Sequence, residues 1–99
     1  MNFFSNIFNS IRTESIVLID ISAGSVAGAY AHYTEGETPS LLYTRRLPIE
    51  MREKEPHEKA MLRALEILSE ALIREGAPVL ARATGNGRAD TILVSEDAP

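Results

Sequence analysis

The run of β-branched and aliphatic residues from Ser15 to Ile21 constrains the fold more than any other stretch of the chain. Apart from Asp20 near its end, the run is almost continuously apolar, which is typical of a strand covered on both faces. A chain of 99 residues is the size of one small domain or of part of a larger one. We therefore expect this run to be an inner strand of a sheet.

Two further strands are predicted after the first one. Ser22-Ala23-Gly24 is a short turn, and residues 24–33 resume a strand pattern. One face of this second strand is a row of alanines, small enough for a helix to pack closely, and the opposite face includes Tyr30 and His32. The alanines are Ala27, Ala29 and Ala31. A polar loop containing Gly and Pro then leads to a third strand over Ser40–Leu47.

One amphipathic helix follows the three strands. It is predicted to begin at Pro56, because the first helical position needs no backbone N–H, and to end before Gly76, with Pro78 preventing continuation. Its apolar stripe consists of Met61, Leu65, Leu68 and Leu72. Residues 78–81 fit either a short strand or a packed turn, and residues 90–94 again have the pattern of a buried strand.

The order of these elements predicts a mixed sheet. A right-handed crossover returns the last strand beside the first and parallel to it, which gives the strand order 3-2-1-4 in an α/β domain over residues 15–99. One helix covers only one face of such a sheet, whereas the composition of the first strand is typical of a strand that is covered on both faces. We therefore expect this domain to be a fragment of a longer protein.

Residues 1–14 are predicted to form a separate amphipathic helix. All three phenylalanines lie within the first eight residues and recur with Ile7 at helical spacing. Two interpretations compete: the helix docks its phenylalanines onto protein, or it touches a membrane surface through Phe3, Phe4, Ile7 and Phe8. The second lacks support from charge, since no Lys or Arg precedes Arg12 to attract anionic lipid.

Composition excludes several classes of function. Ten Lys and Arg against 14 Asp and Glu give a net charge of −4, so the chain has no electrostatic reason to bind nucleic acid. Cysteine is absent, and the two histidines, His32 and His57, have no second ligand at metal spacing. Because neither a membrane span nor a secretory signal is recognisable, the expected location is the cytoplasm, at the inner face of a membrane if the first helix contacts lipid.

The segment Val17–Val26, with Asp20 at a strand end, a turn of small residues and then Ser25, resembles the first phosphate motif of the actin/Hsp70/sugar-kinase family, roughly D-x-G-x-x-S-x-K. The order of the surrounding elements resembles the first subdomain of that family, a ribonuclease H-like half domain. A Phe-rich helix directly before this hairpin looks most like the pilus-assembly protein PilM and its relative, the cell-division protein FtsA.

The resemblance implies a nucleotide site with ATP and Mg²⁺ as ligands. Asp20 would be the carboxylate on the metal side, which in such sites holds a hydrated Mg²⁺ that also contacts phosphate. Ser22, Ala23, Gly24 and Ser25 would form the cradle, with backbone N–H groups facing phosphate oxygens. Alternatively, the carboxylate of Asp20 caps the N–H groups of the turn, and Ser22 and Ser25 are ordinary turn residues without a role in binding.

The sequence departs from the family pattern at two positions. Ser22 replaces the family's Gly, and Ala27 replaces its frequent Lys, so position 27 offers no cation to a phosphate. The second phosphate motif, the adenosine motif and the second lobe are not recognisable. Alone, this chain is therefore not expected to hydrolyse ATP, and any ATPase activity would belong to a full-length protein.

Two functions from different classes remain. The first is the N-terminal part of an actin-like cytoplasmic protein of the PilM/FtsA type, with a degenerate phosphate-binding hairpin, a protein partner in a membrane-associated pilus or division complex, and self-association as a further expectation. The second is an interaction or scaffold domain that binds no nucleotide. A fragment of a sugar or acetate kinase is a weaker third option, because such a fragment should lack the Phe-rich helix.

Overall fold

A computed structural model describes residues 13–96. The helix predicted over residues 1–14 lies outside the described residues except for Thr13 and Glu14, which belong to the first strand. The strands are β1 (Thr13–Ile21), β2 (Ser25–Thr34), β3 (Ser40–Pro48) and β4 (Thr91–Glu96), and the helices are α1 (His57–Ala71) and α2 (Ala77–Thr84), joined by a π turn, Leu72–Gly76.

The four strands form one mixed sheet in the order β3-β2-β1-β4. β1 and β2 are an antiparallel hairpin, β2 and β3 are antiparallel, and β4 lies parallel to β1, with Leu18 beside Leu93. The predicted fold class is therefore confirmed: an α/β half domain with strand order 3-2-1-4 and a crossover through helix. β4 is beside β1 because the helical segment carries the chain back across the sheet.

The helices cover one face of the sheet, which we call the helix face. Its core contains Val26 and Tyr30 of β2, Leu68 of α1 and Leu80 of α2, all of them buried. The prediction that a helix packs on the alanines of β2 is wrong, since α1 lies on the opposite face of that strand. Gly28 allows this, because a Cβ there would lie 2.9 Å from Cδ1 of Leu72.

The helical segment is longer than predicted. Gly76 has ordinary helical angles, φ −81° and ψ −44°, and the helix continues through the π turn into α2, where Pro78 lies in the first turn. The left-handed residue that ends the helix is Gly85, with φ 84°. Residues 78–81 are therefore helix, neither strand nor packed turn. No helix within residues 13–96 is long and apolar enough to cross a bilayer.

Contacts with strand side chains explain the misplaced helix end. A Cβ on Gly76 would lie 2.5 Å from Cε2 of Tyr30 and 2.9 Å from Cδ1 of Tyr43. The glycine is thus required for close packing of the π turn on the sheet and does not end a helix. The π turn also changes the helical register next to Pro78, which has no N–H to donate.

β4 is exposed on both faces, contrary to the buried pattern of its sequence. Ile92 and Val94 share the helix face with Val17 and Ile19 but are 67% and 64% exposed. Within residues 13–96 the helices contact β2 and β3 and do not reach β4. On the opposite side, which we call the open face, no helix of the described residues covers the sheet, and Leu93 is half exposed.

Candidate phosphate-binding site

The turn between β1 and β2 is tight and open to solvent. The backbone N–H of Ser22 donates to the carbonyl of Ser25 (2.9 Å), which leaves Ala23 and Gly24 at an exposed tip. A Cβ on Gly24 would meet no atom within 4 Å. The tip therefore has free space around its backbone, as the close approach of an anion requires, although the N–H of Ser22 is already used within the hairpin.

Two neighbouring elements hold this turn in place. The N–H of Ile49, just after β3, donates to the carbonyl of Gly24 (2.9 Å), and Nε2 of His57, at the start of α1, lies 2.8 Å from the carbonyl oxygen of Ala23. Since a carbonyl can only accept, His57 carries its proton on Nε2 in this contact. The sequence indicates only a wet histidine in the first helical turn, because nothing local shows that α1 begins beside the hairpin.

Asp20 points to the open face and not into the hydrocarbon core. Its side chain is 42% exposed, and Oδ2 lies 3.7 Å from Nη2 of Arg46 on β3. The carboxylate thus faces a guanidinium at the edge of the turn. The carboxylate is therefore accessible at a strand end, and the role that the resemblance implies for Asp20 in ligand binding stays a prediction.

Arg46 belongs to the candidate site, although no pattern in the sequence predicts it. Strand register places Asp20, Ala27 and Arg46 side by side in one row across β1, β2 and β3. Because Ala27 is small, the long side chain of Arg46 crosses over it to reach Asp20, and Nη1 also donates to Oγ of Ser25 (2.7 Å). A single sequence gives no signal for this contact, since it depends on how β2 and β3 are aligned.

The neighbouring Arg45 faces the other side of the sheet. Its Nη1 lies 3.4 Å from Oε1 of Glu75 in the π turn, and the hydroxyl of Tyr43 donates to the same oxygen (2.8 Å). Burial and the carboxylate of Glu75 raise the pKa of Tyr43, since both disfavour the phenolate. The side chain of Arg45 thus contacts the helical segment, while the side chain of Arg46 lies on the open face.

A groove of about 790 Å³ runs along the open face beside Asp20 and Arg46. Its walls are mainly apolar and are formed by all four strands. Its lining includes Leu18, Ala27, Ala29, Leu41, Thr44, Leu93 and Ser95. The candidate site lies at the carboxyl ends of the parallel pair β1 and β4, the edge at which open α/β sheets commonly bind ligands.

The residues at the turn suit a phosphate group better than a metal ion. Ser25 and Arg46 offer a hydroxyl and a guanidinium, and the backbone at Gly24 is accessible. For Mg²⁺ the fit is poor, because the carboxylate of Asp20 already faces a positive charge. Within residues 13–96 no three His, Cys, Asp or Glu side chains come together as a metal site.

A second polar cluster closes the opposite end of β1. Oγ of Ser15 lies 3.1 Å from Nδ1 of His32, and the backbone of Ser15 is bonded to Asp90 through both its N–H and its carbonyl. The carboxylate of Asp90 accepts from this backbone N–H, and Ser15 is buried, so the cluster does not form an exposed nucleophile with an oriented base. It joins β4 to the start of β1.

No family model matches the sequence, and no curated protein matches it either. The structure is similar to two solved structures of a Ppx/GppA enzyme from Aquifex aeolicus, each with a TM-score of 0.52, 13% sequence identity and 86% of this chain covered. The chain spans 27% of one of these proteins and 26% of the other, about a quarter of their length.

Ppx/GppA proteins have the actin-like fold. The fold of this chain is actin-like as well. The predicted actin-like topology is therefore confirmed at the level of the fold, with β4 parallel to β1, while the phosphate role of the segment Val17–Val26 stays a prediction. At 13% identity the similarity shows the fold alone, and the PilM/FtsA assignment stays a prediction.

Proposed function

We propose that this chain is a phosphate-binding half domain of an actin-like protein and contributes one wall of a nucleotide site. The observation that carries the proposal is the convergence of Asp20, Ser25 and Arg46 on the open side of the β1–β2 turn. The turn is held in place by His57 and Ile49, which donate to the carbonyls at its tip, and the tip is exposed. Such an arrangement binds an anion at little cost in ordering.

Nucleotide affinity of this chain is expected to be weak. A nucleotide in an actin-like protein is bound between two lobes, and residues 13–96 supply one. The groove offers apolar surface beside the turn, and the groups placed to contact phosphate oxygens are Ser25, Arg46 and the turn backbone. We expect dissociation constants in the millimolar range, equivalent to about −4 kcal/mol, and no hydrolysis by this chain alone.

At the cellular level we propose a cytoplasmic assembly protein of the PilM/FtsA type, acting in a membrane-associated pilus or division complex with a protein partner and by self-association. Support comes from the actin-like fold together with the Phe-rich segment that precedes β1 in the sequence. In this proposal the nucleotide controls assembly, and the phenylalanines Phe3, Phe4 and Phe8 contact the partner or the membrane surface.

The apolar groove favours a second candidate, an interaction domain that binds no nucleotide. Leu18, Leu41 and Leu93 are 36%, 64% and 50% exposed on the open face, which is unusual for a surface that stays in water. Ser22 in place of the family's Gly, with its N–H used inside the hairpin, favours the same candidate. In this case a protein segment, and no nucleotide, would occupy the groove.

Calorimetric titration with ATP and Mg²⁺, with adenosine as the control ligand, separates the two candidates. The phosphate-binding proposal predicts binding of ATP, no measurable binding of adenosine, and a loss of ATP binding in Gly24→Val. This variant should fold normally, because the new side chain enters open space, and its thermal unfolding midpoint verifies that. No response to either ligand would favour the interaction domain, and equal responses to ATP and adenosine would contradict binding through phosphate.

A further inference from the structure

The positive charge beside Asp20 changes what this turn can bind. Nη2 of Arg46 lies 3.7 Å from the Asp20 carboxylate, and both side chains are about half exposed. A divalent cation placed against Asp20 would have to share the carboxylate with this guanidinium, which offsets part of the attraction. The carboxylate of Asp20 thus already faces a cation of the protein itself, and a metal ion would have to compete with it.

The guanidinium of Arg46 retains donors for a ligand. It has five N–H groups in a planar fork, of which one bonds to Ser25 Oγ. Planar forks of this kind suit phosphate oxygens, because two N–H groups can donate to two oxygens at once. The hydroxyl of Ser25, held at 2.7 Å from Nη1, lies beside these donors and can turn its own proton toward an anion.

The position of Arg46 corresponds to that of the lysine that the family motif has at position 27. Ala27 lies between Asp20 and Arg46 in the row across the strands, so the side chain of Arg46 covers the space that a lysine at position 27 would fill. The loss of the lysine and the presence of Arg46 are therefore two parts of one local arrangement, in which the cation comes from β3 and not from β2.

We infer that Arg46, and not a divalent metal at Asp20, is the cation that meets a bound phosphate group at this turn. The inference rests on the proposed function. The ligand class is a polyphosphate, free or as part of a nucleotide, held without metal by Arg46, Ser25 and the turn backbone. Asp20 acts as a positioning residue that aims the guanidinium along the row.

The test is calorimetric titration of the 99-residue chain with inorganic tripolyphosphate in EDTA at low salt, followed by the same titration with excess Mg²⁺. Arg46→Ala should lower the affinity in EDTA by at least about tenfold, the loss of a charge-assisted hydrogen bond. Arg45→Ala is the matched control, because Arg45 is equally charged but bonds to Glu75 on the other face, and its affinity should change less than about twofold.

Two further variants sharpen the assignment. Ala27→Lys combined with Arg46→Ala should regain most of the lost affinity, because the lysine returns a cation to the same space. Asp20→Asn should lower the affinity in EDTA by less than Arg46→Ala does, because it removes the carboxylate that positions the guanidinium and leaves the cation itself in place. A failure of the lysine to restore binding would contradict a role of Arg46 as the phosphate cation.

The inference and the proposed function fail in different ways. If tripolyphosphate binds only with Mg²⁺, and Asp20→Asn abolishes that binding, the turn is a phosphate site that works through metal, and the inference is wrong. Wild-type affinity in Arg46→Ala also overturns it while leaving a phosphate site. If the unmodified chain binds no tripolyphosphate in either condition, both the inference and the proposed function are wrong.

Discussion

The two faces of the sheet are formed by the same strands but differ in their residues and in their burial. On the helix face, β2 presents Val26, Gly28 and Tyr30, which are buried under α1 and the π turn. On the open face the alternate positions carry alanines, Asp20, Ser25 and Arg46, and a groove remains. The difference teaches that the stabilising core lies on one side of this domain and that the proposed ligand site lies on the other.

The largest expected effect is the difference in unfolding free energy between a leucine-to-alanine substitution on the helix face and one on the open face. Leu68→Ala on the helix face removes a side chain that is 1% exposed and should lower the free energy of unfolding by about 2–5 kcal/mol. Leu93→Ala on the open face, where the leucine is half exposed, should change it by no more than about 0.5 kcal/mol. Urea unfolding followed by circular dichroism measures both, and similar losses would contradict the comparison.

Two glycines give the next test. Gly76→Ala forces a methyl group against Tyr30 and Tyr43 and should cost about 1–3 kcal/mol, since overpacked cores must shift backbone and rings. Gly24→Ala places the same methyl group in open space at the turn and should leave the unfolding free energy nearly unchanged. Urea unfolding of both variants under the same conditions measures the two losses of unfolding free energy. A costly Gly24→Ala would show that the turn tip is packed.

Two ion pairs extend the comparison. On the helix side Nη1 of Arg63 donates to both carboxylate oxygens of Glu55, at 3.0 and 2.8 Å, and the Glu55 side chain is only 9% exposed. Glu55→Gln should cost about 1–3 kcal/mol, because it leaves a shielded guanidinium without its charged partner. Asp20→Asn, in the exposed pair with Arg46, should cost less than about 1 kcal/mol. Equal costs would mean that the open-face pair is structural.

The smallest expected effect is a dependence of stability on alkaline pH. Burial raises the pKa of Tyr30, and burial together with Glu75 raises the pKa of Tyr43, so the folded state holds these protons more tightly than the unfolded state does. Their contribution is complete below the unfolded pKa of about 10 and is lost as the pH rises above it. Urea unfolding at pH 9 and pH 11 should show a decline, smaller in Tyr30→Phe. An identical decline in this variant would exclude a role for Tyr30.

The strands and their order could be predicted because each follows from local patterns. The apolar run of β1, the small residues of the turn and the polar loop before β3 are all visible in the sequence. Strand β4 was predicted as a strand, but its burial was not correctly predicted, because apolar residues show that a strand can be covered and not which element covers it. In residues 13–96 neither helix reaches β4.

The end of the helical segment could not be predicted, for a reason of packing. Glycine followed by proline is the usual signal for a helix end, and here the glycine instead provides room for the rings of Tyr30 and Tyr43. Those rings come from β2 and β3, far from Gly76 in sequence. The signal is the same in both situations, and only the tertiary contact decides between them.

The candidate site was predicted in part. Asp20 and the turn residues follow from the motif, and the structure places Asp20 and Ser25 together with Arg46 at the turn. Arg46 itself could not be assigned, because its contact with Asp20 requires the pairing of Ala27 with Arg46 across two strands. A shift of β3 by one residue would instead bring Arg45 to the open face.

Nuclear magnetic resonance gives the most direct test of the central claim, that the β1–β2 turn of this half domain binds phosphate. Amide spectra of the ¹⁵N-labelled chain would be recorded during titration with tripolyphosphate. The account predicts saturable shifts at Ala23, Gly24 and Ser25 and in the side chain Nε–H of Arg46, while amides of the helix face, such as Gly76, stay in place. Saturable shifts elsewhere with an unmoved turn, or no shifts at all, would contradict it.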